Sequence, residues 1–278
     1  MSFLFGILIF LSGAAVGSFV LVIADRWNTG FSFLKGRSFC FSCSAELEGR
    51  DLVPVFSFLF LRGRCRRCGS RIPFEAFAIE LLMGVLSLLA GFKSDFLSLE
   101  LGAYSLEGVL GYILLFCIFS TIVLISIYDL RHFIIPDQFL IFLLIFSSAY
   151  LTLSSKLEAL SFLSGLLVSL PFLLIYLISH GRWIGLGDIK YMAVLGFWLG
   201  LPIGLSAIVM AFWVGAAFAL AILLLKKLWP QNGLPLFRNN FTIKSEIPFG
   251  PFISLGAILN FFINVDLFQI KTFFTFFS

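Results

Sequence analysis

Long, continuous apolar runs separated by short polar stretches cover most of the chain. Six of them occupy roughly 3–24, 73–91, 108–128, 138–154, 160–179 and 248–270, and a seventh, 189–225, is too long for one helix. A membrane-crossing helix needs about 20 mostly apolar residues. Gly200, Pro202 and Gly204 interrupt the seventh run, which predicts two helices there and eight in all. The runs are continuous, unlike the ten-residue alternation of an outer-membrane barrel. The pattern predicts an all-α polytopic membrane protein with about eight transmembrane helices. One sizeable polar segment, 25–72, lies between the first two.

Composition agrees with this. Hydrophobic residues make up 60% of the chain, charged residues 12%, and 37 residues are phenylalanine; the mean hydropathy is +1.07. Soluble domains carry about 25% charged residues, and this much apolar surface would not fit inside a water-soluble fold. A soluble globular enzyme, a disordered chain and a secreted disulfide scaffold are thereby excluded.

The placement of charge sets the expected topology. Of 19 lysines and arginines, nine lie in 25–72, and the loops near 129–137, 180–190 and 226–247 add Arg131, Arg182, Lys190, Lys226, Lys227, Arg238 and Lys244. Only Lys93, Lys156 and Lys271 fall in the alternate set. The positive-inside rule then puts 25–72 in the cytoplasm and both termini outside. Met1–Phe5 carries no positive charge, so the first run reads as an uncleaved helix rather than a signal peptide. Three parts follow: a first transmembrane helix (1–24), a small cytoplasmic domain (25–72) and a transmembrane domain (73–278).

The polar segment holds Cys40-Phe-Ser-Cys43 and, after 21 intervening residues, Cys65-Arg-Arg-Cys68. Two such knuckles at this separation point to a structural zinc ion, Zn2+, held by Cys40, Cys43, Cys65 and Cys68. Disulfides are the competing reading, and a reducing cytoplasm argues against them. A closed four-sulfur shell leaves no open position for catalysis. The segment is too short for a good core, so metal would supply much of its folding free energy. Cys117 lies in an apolar run and reads as a small buried hydrophobe.

Acidic residues at the ends of spans point to function. Asp129 closes the third run, Asp137 follows Pro136 at the start of the next, and Asp188 stands in Gly185-Leu-Gly187-Asp188. Asp137 reads as a helix cap. Asp129 and Asp188 form a candidate aspartyl-protease pair: two close carboxyls cannot both ionise cheaply and share a proton. The alternatives for Asp129 are an interfacial charge paired with Arg131 or Lys190, or a proton site in a transporter. Gly185 and Gly187 are expected to permit positive φ and a close backbone approach. From Ile189 to Gly200 the helix is only about 18 Å long, so either Asp188 lies below the membrane surface or the helix does not fully cross. His132 and His180 read as interfacial.

Together these motifs resemble those of the bacterial type IV prepilin peptidases, the leader peptidase/N-methyltransferases of the G-x-G-D aspartyl protease family. The resemblance rests on Gly17-Ser18-Phe19, on Arg37-Ser38, on Pro54, Ser57 and Leu61-Arg62-Gly63-Arg64-Cys65, and on Glu80-Leu-Leu-Met-Gly84. It continues through Asp129 eight residues before Asp137, Gly185-Leu-Gly187-Asp188 with Lys190, Gly196 and Gly200, and Pro248-Phe-Gly-Pro-Phe252.

The resemblance implies cleavage of the leader of type IV prepilins or pseudopilins after a glycine, on the cytoplasmic face of the bacterial inner membrane, with Asp129 and Asp188 catalytic. It further implies N-methylation of the new N-terminal residue with S-adenosyl-L-methionine, linked to the cysteine domain, in type IV pilus or type II secretion systems. Asn is absent after Gly17-Ser18-Phe19, Trp27-Asn28 replaces the family's Leu-Pro after Arg26, and the first knuckle lacks the family's proline. These departures fall in the half associated with methyl transfer. No residues for S-adenosylmethionine are assigned, and no nucleic-acid partner is expected. The rival functions are a peptidase-only G-x-G-D membrane protease and a proton-coupled transporter.

Overall fold

The computed structural model describes residues 2–33, 38–40, 42–94, 96, 105–228 and 247–269. Lys35, Arg37, Arg238, Lys244 and Lys271 of the topology argument lie outside them.

The described residues are mostly helical. In chain order they form α1 (Ser2–Arg26), a 3-10 turn (Gly49–Asp51), α2 (Phe56–Phe60), α3 (Phe74–Lys93), α4 (Leu106–His132), α5 (Asp137–Leu153), α6 (Ala159–Ser179), α7 (Leu186–Leu199), α8 (Leu201–Leu228) and α9 (Gly250–Ile263). A helix of 14 to 28 residues stands at each of the eight expected positions. The seventh run breaks at Gly200, whose φ of 78° continues neither α7 nor α8.

Five helices, α1, α3, α4, α6 and α8, are long and apolar enough to cross a membrane, which makes this a multi-pass membrane protein. Length supports five crossings among the described residues rather than the expected eight. The 14-residue α7 and α9 rise about 21 Å each, against a hydrocarbon core of about 30 Å.

The chain forms two compact units. The first comprises Met1–Ile127 with Thr152–Ser155. Its centre is the α1–α3 pair, where small residues let the helices approach closely: Gly13 lies against Ser87, and the Cα of Gly17 faces Glu80 and Met83. The Ser87 hydroxyl donates to the Ile9 carbonyl at 3.0 Å and meets the Tyr112 hydroxyl at 2.8 Å. Ser105 caps α4 by accepting the Gly108 N–H at 3.0 Å.

The second unit comprises Tyr128–Leu151 and Lys156–Ser278. Here α6, α7, α8 and α9 pack together. Several of its polar residues are buried, among them Ser164, Asn260 and Asp129, whereas Ile141, Leu174, Ile178 and Leu220 are exposed. An apolar exterior around a partly polar interior is the arrangement lipid requires.

Candidate active site and candidate metal site

Asp129 occupies the last turn of α4. The helix stops because Phe133 turns to φ 56°, with its N–H bonded to the Asp129 carbonyl at 2.8 Å. The Asp129 side chain is 5% exposed. Its Oδ2 accepts the Gly250 N–H at 2.9 Å. Gly250 is the first residue of α9, preceded by the N-cap Phe249 and followed by Pro251. A helix start offers unpaired N–H groups and a positive dipole end, both favourable to a carboxylate. A side chain at Gly250 would meet Asp129 Oδ2 at 2.7 Å, so only glycine allows this approach.

Asp188 sits in the first turn of α7, the favourable end for an acid. Its carboxylate lies against the backbone of Gly185, the N-cap, and within electrostatic range of Asp129. The fold thus brings together two carboxylates 59 positions apart in sequence, in one unit.

The two glycines before Asp188 differ from expectation in one respect. Gly185 has φ −75°, and Gly187 is not in the positive-φ region either. Close approach is what they permit: a Cβ on Gly185 would lie 3.3 Å from Asp188 Oδ2, and one on Gly187 would lie 3.3 Å from the Ile135 Cβ.

Asp137 does open α5. Both its oxygens also accept from the Lys190 ammonium, at 2.8 and 2.9 Å. Lys190 is therefore engaged with Asp137 and not with Asp129, contrary to one alternative drawn from sequence. His132 stacks on Tyr128 with ring centroids 4.2 Å apart. Tyr191 and Ser254, buried beside the pair with hydroxyls 2.7 Å apart, carry no sequence motif of their own. The available signal was the helical spacing of Tyr191 three residues after Asp188.

The four cysteines form a second site in the first unit. The knuckles repeat one hydrogen-bond register. Cys40 N–H donates to Ala45 and Ser44 N–H to Cys40, just as Cys65 donates to Ser70 and Gly69 to Cys65. Bridges Phe39–Glu46 and Arg64–Arg71 close the two turns. Ser44 (φ 54°) and Gly69 (φ 69°) take the same left-handed position.

All four sulfurs lie within 4.8 Å of one another, and Cys40 and Cys68 are 3.8 Å apart. A tetrahedral zinc site with bonds of about 2.3 Å has sulfur–sulfur edges of about 3.8 Å. The Ser70 hydroxyl stands 3.1 Å from the Cys68 sulfur and 3.6 Å from that of Cys40. With the backbone at Cys43 and Ser42 it holds the Cys40 thiol down at about 6. The Ala45 backbone lowers Cys43, but desolvation and the Cys68 and Cys40 thiols outweigh it and push Cys43 up to about 11. Four crowded thiols cannot all ionise unaided, and a divalent cation removes that conflict. The group could hold a metal ion.

This cysteine segment is tied to α3 through one carboxylate. Val55 has φ 65° and ψ −52°, a strained turn for a β-branched residue, closed by the Phe56 N–H on the Pro54 carbonyl at 2.7 Å. Its N–H donates to Glu80 Oε2 at 2.7 Å. Elsewhere in the unit, an open cavity of about 350 Å³ is lined by Arg26, Trp27, Asn28, Gly30, Phe31, Ser32 and Phe33.

Comparison with known proteins bears on both sites. The bacterial peptidase A24 N-terminal domain matches residues 11–94, and the type IV leader peptidase family matches 116–220. The prepilin leader peptidase/N-methyltransferase of Bacillus subtilis (strain 168) is 31% identical over 253 residues, covering 91% of this chain and 92% of that protein. The enzyme of the same name from Klebsiella pneumoniae is 32% identical over 207 residues, covering 70% and 85%. That from Dichelobacter nodosus is 28% identical over 251 residues, covering 88% and 77%. No solved structure matches the chain significantly. With relatives of this identity spanning nearly its whole length, and with the peptidase match covering Asp129 and Asp188, the chain belongs to the type IV leader peptidase family of membrane proteases.

Proposed function

We propose that this protein is a membrane-embedded aspartyl endopeptidase that removes the leader of type IV prepilins or pseudopilins after a glycine, using Asp129 and Asp188. The observation that carries the reading is their convergence: two carboxylates within electrostatic range, one buried under the α9 N-terminus, in a chain of this family.

The two carboxyls hold one proton between them and titrate as a unit. The ionised member takes a proton from water as the oxygen attacks the scissile carbonyl. The protonated member donates to the carbonyl oxygen, and a proton then passes to the leaving amine. The Gly250 N–H keeps Asp129 in one orientation throughout.

Cleavage takes place on the cytoplasmic side of the bacterial inner membrane, the face assigned by the basic loops, with all eight long helices membrane-embedded. Residues 25–72 bind one structural zinc ion through Cys40, Cys43, Cys65 and Cys68. They serve N-methylation of the new N-terminus, the second activity in the relatives' names, while 73–278 carries the peptidase. S-adenosylmethionine would supply the methyl group. The lining of the open cavity at the end of α1 fits this cofactor only in part: it offers a cation and aromatic rings but no acidic side chain for a ribose.

The experiment is leader cleavage by purified protein on a prepilin. Asp129→Asn and Asp188→Asn should each abolish it while the protein still inserts and purifies. Substantial cleavage by either variant would remove the assignment. Asp137→Asn should change the rate by only a few-fold, since an exposed ion pair contributes about 1 kcal/mol or less.

A further inference from the structure

The first turn of α9 is tied to both helices that carry the candidate carboxylates. At one end, Gly250 N–H donates to Asp129 Oδ2 at 2.9 Å. Four residues on, the Ser254 hydroxyl donates to the Gly250 carbonyl at 2.9 Å. The Ser254 oxygen also lies 2.7 Å from the Tyr191 hydroxyl. Serine has one hydroxyl proton, and the Gly250 carbonyl takes it, so Tyr191 donates to Ser254.

Tyr191 is 0% and Ser254 3% exposed. Tyr191 follows Asp188 by three positions on α7, on the same helix face and one turn away. A phenylalanine and an alanine would fill this space with no polar group to satisfy. Packing alone therefore gives no reason for a hydroxyl pair here.

We propose that Tyr191 and Ser254 are positioning residues for the dyad, an inference that rests on Asp129 and Asp188 being the catalytic pair. The hydroxyl pair locks the first turn of α9 to the helix bearing Asp188. That turn in turn presents Gly250 N–H to Asp129. α9 thus acts as a ruler that fixes one carboxylate relative to the other, and a fully satisfied buried network has the rigidity this needs.

The test uses the full chain in detergent, with a prepilin substrate. Tyr191→Phe and Ser254→Ala should each lower kcat about tenfold or more, since catalysis is sensitive to displacements of under an ångström. KM should stay within about twofold. The double variant should fall no further than the worse single, because the two hydroxyls act as one unit. Ser254→Thr, which keeps the hydroxyl, should retain most of the activity.

An unchanged kcat in Tyr191→Phe would overturn the proposal, as would fold-losses that multiply in the double variant. So would a fall in folded yield and melting temperature with kcat per folded molecule unchanged. Should Tyr191→Phe fail to fold, Ser254→Ala, a small change in volume, decides alone. Asp129→Asn and Asp188→Asn are run alongside. Activity in those variants refutes the dyad itself, whereas inactive dyad variants beside a fully active Tyr191→Phe refute only the network.

Discussion

Replacing Gly250 by alanine tests whether its contact orients Asp129, because the new methyl group disturbs that one contact and no special backbone conformation. The new methyl group would stand 2.7 Å from Asp129 Oδ2, 3.1 Å from its Cγ and 3.2 Å from its Cβ, where ordinary contact begins at 3.4 Å. The carboxylate, the helix start or both must give way by several tenths of an ångström. The 2.9 Å bond from Gly250 N–H to Asp129 then lengthens or bends. A hydrogen bond to a charged group contributes about 1.5–3 kcal/mol, and losing a large part of that orientation corresponds to roughly a 10- to 100-fold fall in kcat. Gly250 is not in the positive-φ region, so alanine meets no backbone strain there. The melting temperature should therefore change little while cleavage collapses. The measurements are the initial rate of leader loss from a prepilin and a thermal melt on the same purified sample. Wild-type cleavage by Gly250→Ala would refute the claim that this contact orients Asp129. A large loss of folded protein would show that the site cannot absorb the methyl group at all.

Three further outcomes are expected. Elemental analysis of protein purified without chelators should find one zinc per chain, and Ser70→Ala, which removes the hydroxyl beside the Cys40 and Cys68 sulfurs, should weaken metal retention in a chelator competition about tenfold. Glu80→Ala strands the Val55 N–H at a cost of about 1–3 kcal/mol; limited proteolysis should then cut within 25–72 sooner, and an unchanged digestion pattern would count against the tie. Asp188→Asn should block cleavage yet still methylate a pre-cleaved pilin with labelled S-adenosylmethionine, whereas Cys43→Ser should reduce methylation more than cleavage. Equal loss of label in both variants would indicate one shared site.

Helix positions were legible in the sequence because lipid imposes a strong one-dimensional constraint: a long apolar run has few options other than a helix. The break at Gly200 was visible for a similar reason, since two glycines and a proline within five residues interrupt a run too long for one helix. The cysteine knuckles were legible because ligand spacing within each turn is local, and the repeated hydrogen-bond register of the two turns agrees with it. The number of crossings was less legible. Apolarity marks α5, α7 and α9 as buried in something greasy, and their lengths do not distinguish lipid from protein.

What only the tertiary structure decided is who meets whom at the aspartates. The sequence marks Asp129, Asp188 and the Pro248-Phe-Gly-Pro-Phe252 segment as separate motifs, and no local rule joins them. Folding places the N–H of Gly250 on a carboxylate 121 positions away, gives Lys190 to Asp137, and lays Ile135 against Gly187. Tyr191 and Ser254 carry no motif, since a hydroxyl in an apolar run has no visible purpose until its partner is known. Apolarity and ligand spacing are read along the chain, whereas a hydrogen bond between helices depends on how they pack, which no single segment encodes.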